Sequence, residues 1–286
     1  MRDWKIYVPT YGRKTLPILE MLDNDEYLTM SLCVREECKD DYEEIVKTYG
    51  DRVRILNLGS GIKDLGETRK RILSIAEEEC DYCVMLDDSL TDIYDYLNVL
   101  DISVNIERAI GLMKVTNAFC YTFFREGNKF LGVSPTDKYF VGFPLQAFII
   151  DTEMAKEHHV NFETMEKCGL EDIAFFADAV KEGLIFVSDQ DIRIRGKLPN
   201  TLIKGGSHAE HFSKEDFERK RDEGHKKLME YIGPMYGIML TKKYRPSLDQ
   251  VLTYCRIDCE YFRDVLVYHR KENQKIIDSK FRIEGE

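Results

Sequence analysis

The stretch YCVMLDDSLTDI, Tyr82 to Ile93, runs an apolar segment directly into two adjacent carboxylates, a serine and a third carboxylate. An apolar run of this length bounded by polar turn formers predicts a strand driven through the core. Its polar end leaves two alternatives open. Asp88 and Ser89 are turn residues or a helix cap leading into LTDIYDYL, or Asp87, Asp88 and Ser89 are oxygen ligands on a rigid strand end. Such a ligand set suits a hard divalent cation, Mn2+ or Mg2+, that completes its coordination with water and phosphate.

The segments before this strand alternate in type. WKIYVPTYGR (residues 4–13) predicts a buried first strand ending in a loop, and KTLPILEML (14–22) a helix through Leu16, Leu19 and Leu22 with Pro17 in its first turn. LTMSLCVRE (28–36) and RVRILNL (52–58) predict short strands, with the helix KDDYEEIVKTYG between them ending at Gly50. GIKDLGETRKRILSIAEEE (61–79) opens with glycines and continues as an amphipathic helix through Ile72, Leu73, Ile75 and Ala76. Strand and helix in alternation over ninety residues indicate a parallel α/β sheet, in which ligands sit outside the carboxyl ends of the strands. PTYGR and DDS both fall at such ends and are expected to face one crevice.

Further along, AFCYTFFRE, KFLGVSP, KYFVGFPLQAFIIDTEMA and LIFVSDQDIRIRGK have strand-like composition, and EDIAFFADAVKEG predicts a helix stopped by Gly183. Beyond about Ser213 the pattern is helical. The expected organisation is one α/β domain over residues 1–212 and a helical appendage over 213–286.

Composition bounds the function. A chain of 286 residues with 43% apolar content fills a sizeable core. It contains no run of about 18 apolar residues, and MRDWKIYVPT lacks the zones of a signal peptide, so a cytoplasmic address with no membrane partner is expected. Its eight cysteines are irregularly spaced and expected to be reduced. Cys80 and Cys83 form a C-x-x-C, but they flank a strand and lack a second pair of matching spacing, which disfavours zinc. A net charge of −11 argues against a generally basic surface for nucleic acid, although 41 Lys and Arg leave room for a local groove.

Three further groups carry chemistry. No G-x-x-x-x-G-K-[ST] is present, yet Arg69, Lys70 and Arg71 open the helix before the acidic strand, and Arg69 is expected to reach a diphosphate. Glu171 and Asp172 stand in the first turn of a helix whose dipole favours their charged forms. There a carboxylate serves either as a cap or as a general base. His208 and His211 follow a glycine pair in KGGSHAEHF and are candidate metal ligands or plain surface residues.

The order of these signals, IYVPTYGR, a basic helix before VMLDDS, then GFPLQAFIID, GLEDIAFFADAVKEG and GGSHAEHF, resembles the metal-dependent glycosyltransferases of GT-A fold over roughly residues 4–212. The resemblance implies a Rossmann-like, mostly parallel central sheet flanked by helices. It assigns Pro9, Thr10, Tyr11 and Arg13, with Arg69 and Asp87, to a nucleotide-sugar. A divalent metal would be held by Asp87, Asp88 and Ser89 with His208 or His211, while Asp172 would act as catalytic base with Glu171 orienting it or binding the acceptor. Gly142, Phe143 and Gln146 would line the acceptor side. The departure from the family is Ser89, which stands where its D-x-D motif usually ends in a carboxylate.

More narrowly, the VPTYGR opening, GFPLQAFIIDTE and the helical tail are similar to the phage TET-associated glycosyltransferases, which modify hydroxymethylated pyrimidines in DNA. That likeness implies host cytoplasm as the address and DNA as the acceptor, with HKK, TKKYR and YHRK available for phosphate contacts. A sugar nucleotidyltransferase would carry a glycine-rich signature near the first strand, which VPTYGRKTL matches poorly. A silent nucleotide-sugar binding module stays open because of Ser89.

Overall fold

The computed structural model describes residues 3–13, 15–97, 100–125, 138–140, 144–163 and 171–196, together with the isolated positions 223, 275 and 279. The appendage expected over 213–286 and the segment KFLGVSP therefore lie outside the described residues, apart from those isolated positions. No described helix is long and apolar enough to cross a membrane.

Strand β1 (Trp4–Pro9), helix α1 (Glu20–Asn24), β2 (Met30–Val34), α2 (Glu43–Tyr49), β3 (Val53–Asn57), α3 (Leu65–Glu79) and β4 (Tyr82–Leu86) succeed one another along the chain. Pro17 opens a 3-10 turn ahead of α1, where a residue without an N–H costs nothing. Strands β3, β2, β1 and β4 lie side by side, all parallel, with Tyr7 opposite Ser31 on one flank and Met85 on the other. The α/β class and the parallel order predicted from the alternation are those observed.

After β4 the chain turns at Asp87–Ser89 into β5 (Leu90–Asp95), so LTDIYDYL opens as a strand rather than a helix. Helix α4 (Ile102–Thr116) comes next, in a segment for which the sequence reading predicts no element. Its buried face, Ile102, Ile106, Ala109, Ile110 and Met113, has helical spacing, and Asn117 closes it in the left-handed region at φ 52°. The sheet is completed by β6 (Cys120–Thr122), the two-residue edge strand β7 (Tyr139–Phe140), β8 (Ala147–Asp151) and β9 (Phe186–Asp189). Helices α5 (Thr152–His158) and α6 (Glu171–Lys181) lie between β8 and β9 in the chain, and β10 (Ile192–Gly196) comes after them.

Among the described residues the sheet order is β3-β2-β1-β4-β8-β6-β9-β7, a mixed, mostly parallel sheet of eight strands flanked by helices, and β10 pairs with β5 in a separate antiparallel ribbon. Strand β8 runs antiparallel to both β4 and β6. Its reversal brings the residues at its start, Leu145 and Gln146, to the rim where β1 and β4 end.

Two local devices set α3 against that rim. Asp64 caps its first turn by accepting from Glu67 N at 2.9 Å, and Glu67 accepts in return from Lys63 N at 2.9 Å. The hydrogen bond from Lys63 and the Arg71 pairing at 2.9 Å hold the Glu67 carboxyl below its ordinary pKa against the opposing effect of burial. Gly66 then permits the closest approach in the fold's centre. A Cβ there would lie 2.2 Å from Glu163 O and 3.1 Å from Glu171 Cβ. Because a backbone oxygen cannot swing aside as a side chain can, Gly66→Ala is expected to cost about 3 kcal/mol, the upper range for overpacking. At about 2–4 °C per kcal/mol, thermal denaturation should show a midpoint lower by about 6–12 °C.

The core on this side is aromatic. Phe162 stacks on Phe175 of α6 with ring centroids 4.1 Å apart and planes at 8°, and Phe175 meets Phe119 and Phe186 at 5.7 and 6.3 Å. Phe175, the one of these rings carried by EDIAFFADAV, is thereby packed among three others, which fixes where α6 stands.

Candidate active site

At the carboxyl end of β1, Pro9 and Thr10 are buried, and Thr10 N extends the β1–β2 ladder by donating to Cys33 O at 3.1 Å. Gly12 then takes φ 63°, a left-handed conformation that suits glycine, and turns the chain so that Arg13 comes back over the strand end. The Arg13 backbone N–H donates to Tyr42 Oη at 3.1 Å, and its Nε lies 3.0 Å from Asp88 Oδ2. The same carboxylate oxygen accepts from Thr10 Oγ1 at 3.1 Å. Tyr11 is half-buried beneath the Arg35 guanidinium, 4.2 Å from its ring centroid.

Asp87 and Asp88 are thus presented side by side, and each has one oxygen held by an arginine. Asp88 is 7% exposed. Burial pushes its pKa up to about 7. The Arg13 charge and the Thr10 hydrogen bond pull it back, while neighbouring Asp87 pushes it further. Asp87 is raised for the same first reason, burial, with Arg69 opposing and Glu171 adding to the rise. Ser89 is buried against the ribbon, and a Cβ at Gly196 would stand 3.0 Å from its carbonyl oxygen.

Asp92, the third carboxylate of the stretch, is held apart from this pair. It lies on β5, where Arg195 holds its Oδ2 at 3.2 Å. Among the described residues no group of three His, Cys, Asp or Glu side chains is arranged to hold a metal. His208 and His211 lie outside the described residues, as do Gly142 and Phe143. The donor chemistry nevertheless fits a hard divalent cation. Asp87 and Asp88 offer two carboxylates whose mutual repulsion a dication would relieve, and phosphate and water are its usual remaining ligands.

Arg69 occupies the centre. It projects from α3 and is 2% exposed. Its NH1 donates to Glu171 Oε1 at 2.9 Å, and its NH2 donates to Asp87 Oδ1 at 3.2 Å and to Leu145 O at 3.0 Å. The guanidinium carbon stands 5.3 Å from the Phe148 ring centroid and 5.8 Å from that of Phe162. The sequence reading expects Arg69 to reach a diphosphate; in the structure its guanidinium forks to Glu171, Asp87 and the Leu145 carbonyl. Lys70 and Arg71 face elsewhere, to Glu163 at 3.3 Å and to Glu67 at 2.9 Å.

Glu171 is 4% exposed, turned in toward Arg69, while the adjacent Asp172 is only partly buried. Successive helical residues diverge by about 100°, so a buried Glu171 leaves Asp172 facing a different direction from the same turn. The structure therefore joins Asp87, Asp88, Arg69 and Glu171 with Thr10 and Arg13 at one rim. Gln146 belongs to it too: its carbonyl accepts from Asp87 N at 2.8 Å, and its side-chain oxygen accepts from Arg125.

Sequence reasoning misses Tyr42 and Leu145, although Tyr42 positions both Thr10 and Arg13. In KDDYEEIV it has the spacing of any core-facing aromatic, and nothing local marks its hydroxyl.

No protein-family model matches the chain, and no curated protein matches it. Among solved structures, S. aureus TarS 1–349 in complex with UDP is similar at 14% identity and a TM-score of 0.48, over 97% of this chain and 90% of that one. GalNAc-T7 with UDP, GalNAc and Mn2+ is similar at 11% identity and a TM-score of 0.43, over 94% of this chain and 55% of that one. The catalytic domain of Drosophila beta1,4galactosyltransferase 7, in complex with xylobiose, shows 14% identity and a TM-score of 0.37, over 78% of this chain and 81% of that one.

Proposed function

We propose that this chain is a nucleotide-sugar-dependent glycosyltransferase of GT-A type that transfers a sugar to a hydroxyl with inversion. The observation that carries the proposal is the pair of acidic motifs, Asp87–Asp88 at the end of β4 and Glu171–Asp172 at the start of α6, bound together at the sheet rim by one buried guanidinium.

In this mechanism Pro9, Thr10 and Tyr11 form the wall for the donor's base and ribose, with Asp87 within reach of a ribose hydroxyl. Arg13, already folded over Asp88, supplies positive charge to the diphosphate side. Asp87 and Asp88 would hold Mn2+ or Mg2+, whose contribution when bound is to neutralise charge on the leaving diphosphate. The acceptor oxygen attacks the anomeric carbon and forms the new C–O bond. The bond from that carbon to the diphosphate oxygen breaks on the opposite face, and the acceptor proton passes to Asp172. Gln146, with Gly142 and Phe143, is assigned to the acceptor side.

For the acceptor we infer a hydroxymethylated pyrimidine in DNA, with the cytoplasm of a phage host as the setting. What supports it is the sequence likeness to the phage TET-associated enzymes. A base used this way is extruded from the duplex into the pocket.

The test is incubation of the protein and Mn2+ with a panel of nucleotide-sugars and with plain or hydroxymethylated DNA, and then nucleoside mass spectrometry. One added sugar on the hydroxymethylated base alone is the expected result. Transfer to a protein or glycan with none to DNA would remove the DNA acceptor and keep the transferase. Donor binding without turnover on any acceptor would leave a binding module.

A further inference from the structure

We propose that Arg69 is a positioning residue for the transfer step, one that sets the separation between the donor-side acids and Asp172 rather than capturing the donor. The inference rests on the glycosyltransferase reading and assigns within it a role that the motifs alone do not.

The geometry is that of a tie. One arm of the guanidinium reaches Glu171 on α6, and the other reaches Asp87 at the end of β4 and the Leu145 carbonyl ahead of β8, at 2.9, 3.2 and 3.0 Å. Three separate elements are thereby referred to one planar group. That group is itself immobilised above Phe148 and Phe162 and carried by α3, which Gly66 lets approach α6 closely.

A purely structural filler between two phenylalanines would be apolar. Burying a charged triad is frequently no better for stability than packing hydrophobic side chains in its place. Here the burial is also incomplete in its hydrogen bonding, since Arg69 Nε is buried with no hydrogen-bond partner among the described residues, a cost that an apolar residue avoids. The arrangement therefore exchanges stability for a fixed relation among its parts.

That relation is the one an inverting displacement requires. The leaving group departs on the side of Asp87 and Asp88, and the base must stand on the opposite face of the anomeric carbon. Misplacement by about 1 Å can cost about 10²-fold in rate. Glu171 is the anchor for this distance because it neighbours Asp172 on the same helical turn. Asp172 also lies near enough for its charge to act on the guanidinium.

The decisive variant is Arg69→Lys, which keeps the charge but replaces the planar fork by a single ammonium that cannot serve both carboxylates and the carbonyl in their present places. Wild-type turnover of the donor is measured first, and its absence would defeat the function itself. With turnover established, donor-binding sites are counted by calorimetric titration, so that kcat refers only to folded, competent protein. The expected result for Arg69→Lys is a fall in kcat of about 10²-fold with the donor KM and Kd changed by less than about threefold.

A loss of donor affinity with unchanged kcat would overturn the proposal and return Arg69 to donor capture. Loss of folded protein with full kcat in the remainder would reduce it to a structural part. If Arg69→Lys does not fold, Glu171→Gln decides, since the amide is isosteric but gives up the charge that pairs with the guanidinium. A drop in kcat of about tenfold or more at constant KM supports the tie, and an unchanged kcat overturns it.

Discussion

Asp172→Asn is expected to lower kcat by about 10²–10⁴-fold, the usual contribution of a positioned general base, and to leave donor affinity within about threefold. The amide preserves shape and the helical turn but cannot accept the acceptor proton. Donor affinity is spared because the residues assigned to the nucleotide and diphosphate, Thr10, Arg13, Asp87 and Asp88, belong to other elements. Isothermal titration with the donor and steady-state rates under saturating acceptor read the two quantities separately. Unchanged turnover would remove Asp172 from the base role. A parallel loss of donor binding would move it to the donor side of the site. Glu171→Gln differs in kind, since Glu171 is buried against Arg69 and acts through position, so its effect on kcat should be the smaller of the two.

The first ninety residues yielded their fold because each element there carries its own local signal. Apolar runs with turn formers mark β1 to β4, and helical spacing in RKRILSIA marks α3. Parallel pairing comes from alternation alone. The limits lay where two elements decide one residue's role. LTDIYDYL looks like a helix start after an acidic cap, yet it becomes a strand because β10, a hundred residues later, pairs with it from Ile192 to Gly196. The pairing of Arg69 with Glu171 is not legible in the sequence, because helix periodicity says nothing about a carboxylate 102 residues away. Only the close approach permitted by Gly66 and the packing of Phe162 on Phe175 bring the two together. Asp92 is available to the acidic cluster by sequence, but Arg195 claims it. In each case a contact between distant segments overrides a local pattern. For Arg69 and Asp92 that contact is charged, a type that hydrophobic periodicity does not encode.

Asp88→Asn is expected to stabilise the metal-free protein at neutral pH while reducing kcat/KM by at least about 10²-fold, since losing a group that merely orients a metal ligand already costs about 10–100-fold. The unfolded chain releases the Asp88 proton near the ordinary pKa of about 4, whereas the folded site retains it to about 7 because of burial. Between those values the folded state binds more protons, so this carboxyl's contribution to stability improves as pH falls from 7 toward 4 and is least favourable above 7. Asp87, raised by the same cause, acts in the same direction. The amide removes the buried charge at neutral pH yet still accepts from Thr10, and the Arg13 side chain, 31% exposed although its Nε is buried, keeps part of its surface in water when its partner is neutral. Offset by the lost ion pair, a net gain of about 1–2 kcal/mol remains, which corresponds to a melting midpoint higher by about 2–8 °C. Thermal denaturation in the presence of a chelator at pH 7.5 and pH 5 checks both parts. The variant should melt above wild type at pH 7.5, and the gap should narrow at pH 5, where the wild-type carboxyl is already protonated. A variant that melts below wild type at pH 7.5 would mean that the Arg13 pairing outweighs burial. The adjacent acids would then be part of what holds the rim together rather than a charge held there for a ligand.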